Sequence, residues 1–214
     1  MRSNLWRTLF QAALFIITFI TTTLSGTWWI NQKSIFTHEY TWRDFAAGMH
    51  FSIPFLLILT VHEFGHYFTA RRHKVGATLP YYIPLPPLPM MIGTMGALIR
   101  LKQTVQSKTK NFDIGIAGPL AGFIVAVAVL IYGFATLPPP EYIFSIHPEY
   151  EAYGLDYARH VYQHNDSVVD VTIGKNILYT ILEKTVADPA RVPNAHEIMH
   201  YPYLFAGYLA LVFT

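Results

Sequence analysis

The sequence predicts a membrane α-helical protein: three full transmembrane helices, the start of a fourth, and a short membrane-associated β-hairpin between helices 2 and 3. Two observations carry this. Of 214 residues, 52% are hydrophobic and only 13% charged, against about 25% charged in soluble domains, too few to coat a water-facing surface. Several stretches also approach or exceed the ~20 predominantly apolar residues that a bilayer-spanning helix requires.

The first span covers about residues 8–30 and carries no charge. Arg2 and Arg7 ahead of it also fit a cleaved signal peptide, but the stretch is longer than a usual signal core, so an uncleaved helix is expected. The second span, about 45–70, ends at Arg71 and Arg72. The third, about 114–137, is closed by Pro138, Pro139 and Pro140, which cannot continue a helix. A fourth begins at Tyr201, but the fourteen residues to Thr214 cover only about 21 Å of a ~30 Å core. Residues 1–214 are therefore expected to form a single membrane domain, incomplete at its C-terminus.

Between spans two and three lie Arg71, Arg72, Lys74, Arg100, Lys102, Lys108 and Lys110 against the single acid Asp113. Basic residues near span ends collect on the cytoplasmic side, so this loop and the N-terminus are expected inside. Residues 138–200, with nine acids and four bases, are expected to be extracytoplasmic. The expected location is a bacterial cytoplasmic membrane. In that last segment, 168–173 suits a short strand, and Asn176 to Val186 has apolar residues at helical spacing.

A formal net charge of +2 gives no excess that would draw nucleic acid. The absence of cysteine rules out disulfides and thiolate ligands, so a metal site must use His, Asp or Glu.

Such a set lies within span two. His62 and His66, four apart, share a helix face and can direct ring nitrogens at one ion. Glu63 is one residue around, close enough to take a proton from a metal-held water. This is the zinc-protease pattern H-E-x-x-H. Ionisable groups at membrane depth are costly and are kept mainly for function. Gly65 inside the motif leaves room for another helix or a substrate backbone. His50 stands about 18 Å away along the helix, too far to share the ion. His160 with His164 and His196 with His200 repeat the spacing in a polar segment, and are expected to be surface histidines.

Pro84 to Pro89 cannot form a regular helix, whereas Ala97 to Lys102 alternates as a strand does. An open strand edge there could hold an unwound peptide through its main chain. Gly115, Gly118 and Gly122 make small-xxx-small spacings that suit close helix contact.

Three segments in order, TVHEFGHYFTARRHKV, YYIPLPPLPMMIGTMGALIRLK and FDIGIAGPLAGF, resemble the site-2 protease family of intramembrane zinc metalloproteases. The resemblance covers roughly residues 45–137, with a weaker match at HYPYLFAGYLALVF. It implies a Zn2+ endopeptidase that cleaves within or near transmembrane segments of membrane proteins, with His62 and His66 as zinc ligands and Glu63 as catalytic base. It also implies substrate contacts around Gly118, Pro119 and Gly122, although Gly122 stands where members often carry Asn. The family's third ligand is an aspartate in a later Leu-Asp-Gly-like motif, absent from this sequence. By helix rise it would fall around positions 218 to 222, so the expectation is a third ligand beyond Thr214 and little or no proteolysis by residues 1–214 alone. The alternatives for the same residues are a non-catalytic membrane scaffold and an ion transporter. The transporter would call for further acids in neighbouring spans, and spans one and three have none.

Overall fold

The computed structural model describes the fold of residues 2–37, 39–162 and 173–213. Helix α1 (Arg2–Asn31) and helix α2 (Trp42–Arg72) are followed by a two-stranded antiparallel sheet, β1 (Tyr81–Pro84) and β2 (Thr94–Leu98). Helix α3 (Lys108–Ala135) comes next, then a cap of 3-10 turns with the short helices α4 (Ala158–Val161) and α5 (Ile177–Val186), and finally α6 (Pro202–Phe213). Within the described residues, α1, α2 and α3 are long and apolar enough to cross a membrane, while α6 is apolar but has only 12 residues.

Local chemistry fixes the helix starts. Thr41 and Asp44 form a capping box at α2: the Asp44 carboxylate accepts from the Thr41 backbone N–H at 2.8 Å, and Lys33 Nζ lies 3.1 Å from it. Such reciprocal capping satisfies donors that a first helical turn leaves open. Arg71 and Arg72 occupy the last turn of α2, where cations oppose the negative end of the helix dipole. Ser107 caps α3, and Asn176 caps α5 through Tyr179 N at 2.8 Å.

Helix α2 is central, with α1 on one side, α3 on the other, and α6 packed across α2 and α3. The main core joins these layers through Trp29 of α1, Phe51 and Phe55 of α2, Leu130 and Phe134 of α3, Tyr179 of α5, and Leu204 and Phe205 of α6. Many other large apolar side chains of the long helices point outward, for example Phe10, Ile53, Leu57 and Ile124, as a lipid-facing bundle requires.

Three expectations need adjustment. The second strand is Thr94–Leu98 rather than Ala97 to Lys102, and Leu101 makes only an isolated bridge to Ala77. Thr94 sets the register, its hydroxyl donating to the Ile83 carbonyl at 2.9 Å. His200 is not at the surface: it is 3% exposed, and its Nδ1 lies 2.9 Å from the Ile30 carbonyl. Gly115 makes no close helix contact, since a Cβ there would meet nothing. The strand expected at 168–173 lies largely outside the described residues, as does His164, whereas His160 is exposed.

Candidate active site

Helix α2 places His62 and His66 on one face one turn apart, and their Nε2 atoms stand 3.1 Å from each other. Two ligands on one tetrahedral zinc at ~2.05 Å would be about 3.3 Å apart, so this pair needs almost no movement to share an ion. The Nδ1 of His66 lies 2.6 Å from the Ile114 carbonyl of α3. A carbonyl can only accept, so Nδ1 carries the proton and Nε2 presents a lone pair. That hydrogen bond is the usual outer-shell support for a metal-binding imidazole. The Nδ1 of His62 is buried without a partner among the described residues.

The close approach of α3 depends on two glycines. A Cβ on Gly65 would strike the Ala117 carbonyl, and a Cβ on Gly118 would fall within the His66 imidazole. The neighbour admitted by Gly65 is therefore a helix of the same chain. Gly118, Pro119 and Gly122 line no part of the cavity described below. Gly118 lies under His66, Pro119 is half-buried and Gly122 is buried in α3.

Glu63 turns the other way, toward the sheet, and is 7% exposed. The Ile99 backbone, just past β2, stands near its carboxylate. His62 and Glu63 open onto a cavity of about 450 Å³, whose opposite wall is Thr94 to Ala97 of β2 together with Met90 and Met91. In a two-stranded sheet each strand keeps one unpaired edge, and β2 pairs only with β1. The sheet is tied to α2 beside the site by the Tyr82 hydroxyl, 2.6 Å from that of Thr60. The methionine wall and the Tyr82 tie were not evident from the sequence. The only signal for the wall is the run Met90, Met91, Met95 between turn residues.

The two histidines fit a zinc ion as two of its ligands. Among the described residues, no group of three His, Cys, Asp or Glu side chains converges on one point. Asp44 is engaged at the start of α2, and Asp113 pairs with His73 at 2.9 Å.

Comparison with known proteins agrees with this chemistry. The model of peptidase family M50 matches residues 50–214. The chain is 32% identical over 94 residues to the probable zinc metalloprotease EGY2, chloroplastic, of Oryza sativa subsp. indica, covering 44% of this chain and 16% of that protein. It is 30% identical over 102 residues to the probable zinc metalloprotease EGY1, chloroplastic, of Arabidopsis thaliana, covering 48% and 18%. Against the EGY1 protein of Oryza sativa subsp. japonica it is 36% identical over 78 residues, covering 36% and 13%. The chain thus spans less than a fifth of the length of these curated relatives, which are chloroplast proteins rather than bacterial ones. No solved structure matches. With the family model matched across most of its length, and with the H-E-x-x-H side chains brought together over a cavity, the chain belongs to peptidase family M50, the site-2 protease family.

Proposed function

We propose that this chain carries the catalytic helix of a zinc-dependent intramembrane endopeptidase that cleaves membrane proteins within or near their transmembrane segments. The observation that carries the reading is the facing pair of imidazole nitrogens, 3.1 Å apart, with Glu63 beside them on a cavity walled by an open strand edge.

In this reading His62 and His66 hold the ion through Nε2, and the third protein ligand comes from outside the described residues. Zinc, when bound, polarises the scissile carbonyl and lowers the pKa of a coordinated water. The Glu63 carboxylate takes a proton from the attacking water and returns it to the leaving amine, so one group serves as base and then as acid.

A helical substrate has its carbonyls engaged in its own hydrogen bonds, so it must unwind before attack. The free edge of β2 offers replacement main-chain partners for the extended peptide, which favours β2 over Gly118, Pro119 and Gly122 as the substrate contact. The basic loop from Arg71 to Lys110 supports an orientation with that loop and the N-terminus on the same, cytoplasmic-type side of the membrane.

The test is Glu63→Gln in the full-length protein, in membranes, with a reporter carrying a transmembrane segment. Cleavage is expected to fall by at least about 10³-fold, the scale on which a general base acts, with zinc content by atomic emission unchanged. Undiminished cleavage would overturn the proposal. His62→Ala and His66→Ala should each lose both zinc and cleavage.

A further inference from the structure

Helix α1 has a polar face that crossing a bilayer does not require. At 100° per residue, Gln11, Thr18, Thr22, Ser25 and Trp29 fall within roughly 60° of arc, and all five are buried. Thr21 flanks the stripe. In a span, buried donors are costly unless matched, and Gln11, Thr21 and Trp29 meet an unusual partner.

That partner is the irregular backbone around the β1–β2 sheet. Gln11 Nε2 donates to the Leu79 carbonyl at 2.6 Å, the Thr21 hydroxyl to the Gly93 carbonyl at 2.7 Å, and Trp29 Nε1 to the Met91 carbonyl at 3.0 Å. Phe15 adds an edge-on contact to Tyr82, ring centroids 4.9 Å apart. The contacts run along α1 from residue 11 to residue 29 and grip the segment both before β1 and before β2. Gly93 has φ +82°, a left-handed conformation, and a Cβ there would strike the Thr21 and Thr22 backbone. The helix and the loop therefore touch backbone to backbone.

We infer that α1 is a clasp whose Gln11, Thr21 and Trp29 act as positioning residues, holding the Met90–Leu98 wall at a fixed distance from His62 and Glu63. Non-helical backbone at membrane depth must have its polar groups satisfied by protein, and the three side chains do this where strand pairing leaves off. None of the three touches the catalytic cluster. Their effect reaches it through β2, whose edge forms the opposite wall of the cavity. Three further hydroxyls on the same helix, those of Thr18, Thr22 and Ser25, are buried with no partner among the described residues. They supply an internal control, because removing one alters the face without releasing a loop carbonyl.

The inference rests on the protease reading only for its effect on cleavage, so its test has an arm that needs no activity. Residues 1–214 contain no cysteine, so with any cysteine elsewhere in the full-length protein replaced, a single Ala97→Cys is a reporter on β2, where Ala97 is half-buried and lines the cavity. Its alkylation by N-ethylmaleimide is followed in membranes holding the full-length protein, in the Glu63→Gln background. The pair Thr21→Val with Trp29→Phe should raise the labelling rate by about tenfold, as expected for two lost hydrogen bonds. Thr21→Ser, which keeps the hydroxyl, and Thr18→Val should leave it at the parent rate. Unchanged labelling in the pair, or an equal rise from Thr18→Val, would overturn the clasp. In the Glu63-containing protein, the pair should raise KM for the transmembrane reporter several-fold more than it lowers kcat. Equal loss in both parameters would count against a role confined to placing the wall. Faster labelling in a protein that never cleaves would refute the protease reading and leave the clasp standing.

Discussion

The His66 ring is held from both ends by α3: its Nδ1 donates to the Ile114 carbonyl at 2.6 Å, and its edge lies over the bare Cα of Gly118. A methyl group at 118 would take the space the imidazole occupies, so the ring would have to rotate away from Ile114 or the two helices would have to part. Either movement breaks the 3.1 Å approach of the two Nε2 atoms. Gly118→Ala is therefore expected to weaken zinc binding by about 10- to 100-fold, the usual effect of disturbing outer-shell support. A competition titration against a chromophoric chelator measures this, with circular dichroism showing that helix content is retained. Gly115→Ala, about five-sixths of a turn away with open space around it, should bind zinc as the parent does. The pairing of His62 with His66 was legible in the sequence because helical spacing alone puts residues 62 and 66 together. The Ile114 carbonyl was not, since a main-chain acceptor 48 positions away leaves no mark on side-chain patterning.

Among the elements, α2 carries the proposed catalytic residues, and its start is fixed at the far end by Thr41 and Asp44. Asp44 is 6% exposed and accepts from the Thr41 N–H and hydroxyl, at 2.8 and 2.6 Å, beside Lys33. Thr41→Ala keeps the backbone bond but loses the hydroxyl, an expected cost of about 1 kcal/mol. Asp44→Ala removes both bonds and the ion pair and should cost more. Thermal unfolding in detergent ranks them, and equal midpoints for the two variants would contradict this account. The long helices could be located from sequence because apolar length is a one-dimensional signal. The α5 helix likewise begins at Ile177 after its Asn176 cap, close to the span its apolar spacing marks. Strand β2 was misplaced because alternation at Ala97 to Lys102 says nothing about which residues find a partner. Pairing begins earlier, where Gly93 and Gly96 adopt φ +82° and +107° and bend the chain toward β1.

At the scale of the whole molecule, the membrane bundle and the cap that follows α3 are joined through contacts at the end of α1. The His200 Nδ1 meets the Ile30 carbonyl at 2.9 Å, and Tyr142 donates to the His200 carbonyl at 3.2 Å. Gln32 Nε2 lies 3.3 Å from His147 Nε2, and the rings of His147 and His200 meet edge-on at 5.3 Å. The sequence placed His200 at the surface because it closes a polar segment; its burial depends on distant partners, among them the Ile30 carbonyl of α1, 170 residues earlier. Burial pushes the His200 imidazole down to about 4, and the nearby His147 pushes the same way, against the opposing bond to Ile30. The unfolded chain titrates near 6.5, so between about pH 6.5 and 4 the unfolded state binds the extra proton. The stabilisation from a neutral His200 is therefore complete above about pH 6.5 and disappears as the pH falls toward 4, a loss on the order of 3 kcal/mol. Unfolding of the parent, followed at pH 7 and pH 4.5, should show a steep fall in midpoint. The isosteric His200→Asn, which cannot take up a proton, should start lower at pH 7 and fall less. Parallel curves for the two proteins would mean that the joint between bundle and cap does not depend on this histidine remaining neutral.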